Sequence, residues 1–337
     1  MGKDGSAGKA RHTPLAQLIT QAVDSGEFFY SFEYSPSRDP RLEDLFARVA
    51  RMGALRPLFV DVTWGFGDVG AKSIEAARHI QKKLGIPVLM HLILTDMSIA
   101  EIDKALDAAR LAGVRAILVL RGYTQAGYDR WQPCEGGLMH ADELCAHIRR
   151  VYGSHFSLGV AGFPSTHPES RLQPGVAPSA DERDEDVRWL KAKVDAGADF
   201  VICQFTFDLD EWSAFLRRCR AAGIRVPILP GVQPLTEYAS ARLLASAWGV
   251  PLPDAVSTEL RKLSDTDDVE GAFECGLRFI SQLCDAILRH AIANSEGCGL
   301  HFFVYDGERE VRALLDVLQT EHGWTRGQRP SICLRSR

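Results

Sequence analysis

Apolar and polar positions along the chain alternate between two rhythms. Short runs rich in β-branched and aromatic residues occur at 28–34 (FFYSFEY), 57–64 (PLFVDVTW), 87–94 (PVLMHLIL), 115–122 (RAILVLRG), 156–163 (FSLGVAGF), 200–207 (FVICQFTF), 226–232 (VPILPGV) and 300–306 (LHFFVYD). Between them lie stretches with apolar residues three and four apart, such as LEDLFARVARMG, SIEAARHIQKKLG, IAEIDKALDAARLAG and DEDVRWLKAKVDAGA. The first rhythm predicts strands and the second amphipathic helices. Glycine closes several helical stretches just before a strand, in RLAGV, DAGAD and RAAGI, where a left-handed residue ends a helix. Eight such strands in alternation with helices predict an α/β chain folded as a (β/α)₈ TIM barrel, since an open doubly wound sheet usually has fewer units. The stretch 233–299, which contains VEGAFECGLRFISQLCDAILRHAI, is expected to add helices before the last strand within the same domain. The barrel is placed at residues 25–320, with a flexible arm at 1–24 and a flexible or loosely docked tail at 321–337.

Composition narrows the function classes. A chain of 337 residues with 46% hydrophobic and 25% charged residues is ordinary for a globular protein, and its net charge of -5 gives no broad attraction to nucleic acid or an anionic membrane. No apolar stretch is long enough to span a bilayer. Small-molecule ligands are expected, with neither nucleic acid nor membrane as partner; homo-oligomer formation stays open. The 8 cysteines are scattered, without a CxxC pair or a tight Cys/His cluster, and read as reduced thiols of a cytoplasmic protein with no metal site.

One residue breaks the strand pattern in a way that costs energy. Glu33 stands among aromatic rings in FFYSFEY, and an ionised carboxylate taken out of water is costly unless it is paired or neutralised. Alternation puts Ser31 and Glu33 on one face and Tyr30, Phe32 and Tyr34 on the other, so the polar face points into the lumen and the apolar face meets helices. Active sites in this fold lie at the C-terminal ends of the strands. Glu33 is at such an end, as are Thr63, His91, Arg121, Gly122, Phe163 and Gln204, with His167 just beyond. A carboxyl in a half-dry lumen suits a general acid near neutral pH.

The motifs SFEYSP, DVTWG, LRG, WQPCEGGL, VAGFPSTHPES, LKAKVDAGADFVICQFTFD, PILPGVQP and GLHFF, in this order, resemble the catalytic domain of the methylenetetrahydrofolate reductase family, over roughly residues 25–320 and most closely in its eukaryotic form. The resemblance implies a barrel holding FAD, with NAD(P)H as co-substrate and methylenetetrahydrofolate as hydride acceptor. It implies that Glu33 is the acid that protonates the folate and that Gln204 and Phe205 line the site for folate or nicotinamide. Thr63, His91, Arg121, Gly122, Ala141, His167, Asp186 and Lys193 match FAD-contacting positions, Lys193 toward the pyrophosphate and Asp186 toward cofactor hydroxyls. Phe163 stands where a tyrosine is common.

The chain departs from the family pattern mainly around the reactive end of the site. Tyr123 follows Arg121-Gly122 where the family has aspartate, and His140 stands where tyrosine is usual in the flavin site. The Asn-Arg expected after the last strand becomes Asp306-Gly307, with Arg309 as the nearest substitute for holding the folate tail. EYSP replaces two consecutive aromatics before proline. These departures leave a diverged member with altered or lost catalysis, acting as a binding or assembly subunit, as the alternative function. The chain also ends before the S-adenosylmethionine-binding domain of the eukaryotic enzymes, so direct inhibition through that domain is not expected.

Overall fold

Eight parallel strands close into a barrel in strict chain order, β1 (Phe29–Tyr34), β2 (Phe59–Val62), β3 (Val88–Ile93), β4 (Ala116–Leu120), β5 (Ser157–Gly162), β6 (Phe200–Phe205), β7 (Ile228–Val232) and β8 (Gly299–Phe303), with β8 pairing back onto β1. This is a computed structural model, and it describes residues 13–38, 41–64, 69–122, 124, 131–171, 177–304 and 307–329. Each sequence-derived strand contains one of these strands or overlaps it with its ends trimmed.

Helices α2 (Leu42–Gly53), α3 (Val69–His79), α4 (Ile99–Ala112), α5 (Ala141–Tyr152), α6 (Ala180–Asp195) and α7 (Leu209–Ala221) each follow the strand before them. Local chemistry fixes several starts. Ser98 and Glu101 form a capping box on α4, as do Ser179 and Glu182 on α6, while Asp208 accepts from the first amides of α7; such caps satisfy amides that a helix start leaves without partners. The stretch 233–299 holds α8 (Tyr238–Trp248), α9 (Asp254–Asp265) and α10 (Val269–Ala293), and α11 (Glu308–Thr320) follows β8.

The apolar positions sort into two layers. Tyr30, Phe32, Tyr34, Val60, Val62, Met90 and Leu92 face outward into the layer between barrel and helices. Phe29, Phe59, Leu89, Leu118, Phe200, Ile202 and Leu229 face inward and fill the barrel floor.

Parts of both tails pack onto the barrel where the structure describes them. Residues 15–25 form a helix, α1 (Leu15–Ser25), whose Leu15 and Ile19 are buried against the lumen floor, and the Ala16 amide donates to Ser157 Oγ at 3.1 Å. Burying two such side chains stabilises the closed end by roughly 1.5–3 kcal/mol each, which a flexible arm would forgo. At the other end, Trp324 is buried and its ring N–H donates to Asp285 at 2.8 Å. The Phe28 amide donates to Gln328 O at 3.0 Å and the Gly327 amide to Phe28 O at 2.9 Å. The chain thus closes over the strand that carries Glu33. No helix among the described residues is long and apolar enough to cross a membrane.

Candidate active site

The apolar floor ends one step below a polar layer. Along β1, Phe29 belongs to the floor, Ser31 is the next inward residue and Glu33 the one after. Register aligns Glu33 with Asp61 on β2, and Ser31 with His301 on β8. β3 adds His91. The four titratable side chains meet in the lumen. His91 Nε2 lies 3.3 Å from Asp61 Oδ2 and 3.6 Å from Glu33 Oε2, and His301 Nε2 lies 3.5 Å from Glu33 Oε2 and 4.0 Å from Asp61 Oδ2. The other nitrogen of His301 hydrogen-bonds to Ser31 Oγ at 2.8 Å. All four groups are buried, Asp61 and His301 completely and Glu33 at 7% exposure.

Burial pushes the Asp61 carboxyl up, more than the two imidazoles pull it back. Burial pulls the His301 imidazole down, but Asp61 and Glu33 together outweigh it and hold it above the usual histidine value. Both directions favour protons kept inside the group. Asp61 and His301 were not among the residues singled out from sequence, although each is an ionisable residue inside an apolar strand, the signal that found Glu33. Polar atoms of Glu33, Asp61 and His91 lie within 4.8 Å of one another. Sequence spacing gave no hint of such a cluster because its members come from different strands.

A second group lies along β4, β5 and α6. Lys193 is half-buried, and its ammonium donates to Ala161 O at 2.6 Å. Burial draws its pKa down, and it forms no ion pair among the described residues. Asp186, two turns back on the same face of α6, accepts from the His167 amide at 2.5 Å and from Ser170 Oγ at 2.7 Å. Burial raises this carboxyl, against the pull of those hydrogen bonds. The ring of His167 packs edge-on against Phe163 at 4.6 Å, and its Nδ1 accepts from the Glu169 amide. Burial, aided by Arg121, holds His167 down to about 4, so it is neutral at physiological pH. Arg121 donates to Glu169 at 2.6 Å, and Thr124 donates to the same carboxylate at 3.0 Å.

Backbone demands explain two glycines here. Gly122 has φ +97, and a Cβ there would sit 2.1 Å from Thr95 Oγ1; a Cβ on Gly231 of β7 would sit 2.3 Å from Cys203 O. Larger residues fit neither position. The second close approach accompanies a register shift between Ile202 and Phe205 on β6, the segment that carries Gln204. The Gln204 side chain turns back to accept from the Phe205 amide at 3.0 Å, while Phe205 packs edge-on against Phe303.

The remaining expected site residues fall into place unevenly. Thr63 donates to Ser35 Oγ at 2.9 Å beside the lumen cluster. His140 and Ala141 form the start of α5, where no side chain caps the amides and the His140 ring packs on Trp189 at 4.6 Å. Arg309 is not brought to the lumen group. It is exposed, donates to both oxygens of Glu270 at 2.9 Å and covers the Phe273 ring at 4.1 Å. Tyr123 and Asp306 lie outside the described residues, while Gly307 precedes α11.

A family model described as methylenetetrahydrofolate reductase matches residues 18–319, the whole barrel. The chain belongs to that family. Among curated methylenetetrahydrofolate reductases, one from Saccharomyces cerevisiae is 36% identical over 305 residues, covering 88% of this chain and 48% of its own length. An NADH form from Arabidopsis thaliana is 33% identical over 303 residues, covering 89% and 50%. A probable NADPH form from Caenorhabditis elegans is 28% identical over 350 residues, covering 99% and 50%. The chain therefore spans about half the length of the curated family members it matches. A solved structure of an uncharacterised protein from Clostridium thermocellum, described as binding two copies of 5-methyl-5,6,7,8-tetrahydrofolic acid, aligns with a TM-score of 0.57 and 14% identity over 89% of this chain and 97% of that one. At that identity the likeness shows a shared fold.

The reductase family's flavin can be tested against the residues present. A half-buried ammonium held by one carbonyl, without an ion pair among the described residues, is a natural partner for a pyrophosphate. The start of α5 has no side-chain cap among the described residues; a helix start attracts anions, against which the first-turn carboxylates Asp142 and Glu143 act. Asp186 is already oriented by two donors. The donor set of this family member fits FAD.

Proposed function

We propose that this barrel reduces 5,10-methylenetetrahydrofolate to 5-methyltetrahydrofolate, with FAD held at the mouth and NAD(P)H as the source of hydride. The observation that carries this reading is the carboxyl of Glu33, buried at the C-terminal end of β1 between His91 and His301, in a chain of this family. The chemistry FAD supplies when bound is hydride relay from the nicotinamide to the folate.

The chain's own residues supply binding and protons. Lys193 and the amides at the start of α5 would hold the pyrophosphate, and Asp186 would accept from cofactor hydroxyls. Neutral His167, with Phe163, forms a wall that adds no charge to the site. Glu33 gives its proton to the folate as the five-membered ring opens, which leaves an electrophilic iminium for reduction. Gln204 and Phe205 lie on β6, between β5 and β7 in the barrel, where the amide can orient a pterin or nicotinamide and the ring can exclude water.

A second reading, a diverged member that binds but no longer reduces, is favoured by Arg309, whose guanidinium is engaged by Glu270 and Phe273. One experiment separates the two. The purified chain is titrated with FAD and then assayed with NADH or NADPH and methylenetetrahydrofolate. Stoichiometric flavin and formation of methyltetrahydrofolate are expected. Flavin without product would support the diverged reading, and colourless protein that fails to bind added FAD would exclude both flavin-based accounts.

A further inference from the structure

The lumen holds more acid–base groups than one proton donor needs. We propose that Asp61 is the second carboxyl of an acid pair with Glu33: the two share one proton between His91 and His301, and Asp61 and His301 are positioning residues that keep that proton on hand for Glu33. The inference rests on Glu33 being the acid of the proposed reaction and extends it to the groups that control its proton.

Geometry supports the pair. Glu33 and Asp61 are direct register partners on adjacent strands, and each has one oxygen within 4.8 Å of the other and of a His91 nitrogen. Two carboxylates that close, shut off from water, resist ionising together. The groups facing the pair are His91 from β3 and His301 from β8, and two rings flank His301, Phe303 edge-on at 5.2 Å and Phe59 stacked at 6.5 Å. His301 is fixed from behind by Ser31, so its Nε2 points at both carboxyls. With His301 charged, one carboxylate is compensated, and one shared proton on the pair limits the remaining buried charge. Among the described residues Asp61 Oδ1 and His301 Nε2 are buried without a hydrogen-bond partner, a poor setting for a full carboxylate and a tolerable one for a carboxyl that shares a proton.

The two acids differ in access. Asp61 is fully enclosed, whereas Glu33 retains slight exposure at the strand end. A proton held by the pair therefore leaves through Glu33. Titration of the pair is a joint property and shows two steps that belong to both residues.

Asp61→Asn and His301→Gln should move the pH dependence in opposite directions. Removing the neighbouring carboxyl lets Glu33 ionise more easily, so the alkaline limb of the folate half-reaction should move down by about one to two pH units. At pH 7.5 that reaction should slow about tenfold or more and recover at lower pH. Removing the imidazolium should move the same limb up by about one unit. Flavin reduction by NAD(P)H should keep its pH profile in both variants. Carbon-13 NMR of labelled Glu and Asp carboxyls in the wild-type protein, without folate, provides a reading independent of turnover: one slow-titrating pair with two linked steps is expected, with the linkage lost in Asp61→Asn. Absence of reductase turnover would count against the proposed reaction while the carboxyl titration still decides the pair. Independent one-step titrations, limbs that shift the same way in both variants, or stoichiometric Zn²⁺ binding lost in Asp61→Asn would overturn the inference.

Discussion

Replacing Lys193 with Met separates its charge from its aliphatic stem. Without cofactor, the substitution removes one hydrogen bond to Ala161 O, a net loss of about 1 kcal/mol. It also removes a cation whose pKa burial has drawn down, and relief of that desolvation offsets the loss. The stability of the cofactor-free protein should therefore change by no more than about 1 kcal/mol. Binding of FAD should respond differently. A hydrogen bond from a charged donor contributes about 1.5–3 kcal/mol, which corresponds to FAD binding roughly 10- to 150-fold weaker. Quenching of flavin fluorescence gives the affinity, and urea unfolding of the same preparations gives the stability. An unchanged affinity would refute the pyrophosphate role. A stability loss above about 3 kcal/mol would make Lys193 a structural residue.

Two further outcomes test the frame around the site. His167 is held down to about 4, so below its unfolded value near 6.5 the unfolded chain binds a proton that the folded protein does not. Stability without cofactor should then fall as pH drops from about 6.5 to 4, by about 2 kcal/mol after allowing for partial exposure, and His167→Gln should flatten that segment of the pH–stability curve. Ile19→Ala empties part of the closed floor and should cost about 2–4 kcal/mol by urea unfolding, with FAD affinity unchanged in the protein that remains folded; little loss of stability would show that α1 does not seal the barrel.

The strands were legible because each is a short apolar run bounded by an amphipathic segment, and strand alternation was enough to aim Glu33 inward. Asp61 and His301 were harder to see. Each lies in a motif that resembles the family, DVTWG and GLHFF, but their meaning depends on barrel closure, which sets the last strand against the first and pairs Ser31 with His301. No local pattern encodes that contact. Helix α1 was hidden by its setting: LAQLITQAVDS is amphipathic, but it follows a polar, glycine-rich segment and its partners are residues of the barrel floor far along the chain. The close approaches at Gly122 and Gly231 likewise depend on neighbours from other strands. Arg309 shows the reverse error, a residue of suitable chemistry near the suitable strand whose partners are on α10.

The most direct test of the central claim is Glu33→Gln, assayed in separate half-reactions under anaerobic conditions. The substitution keeps the side chain's shape and removes its proton donor. Reduction of the flavin by NAD(P)H should proceed at close to the wild-type rate, while oxidation of the reduced protein by methylenetetrahydrofolate should slow by about 10²-fold or more, the scale of a positioned general acid. Equal losses in both half-reactions, or an undiminished folate step, would contradict the assignment of Glu33 as the proton donor to folate.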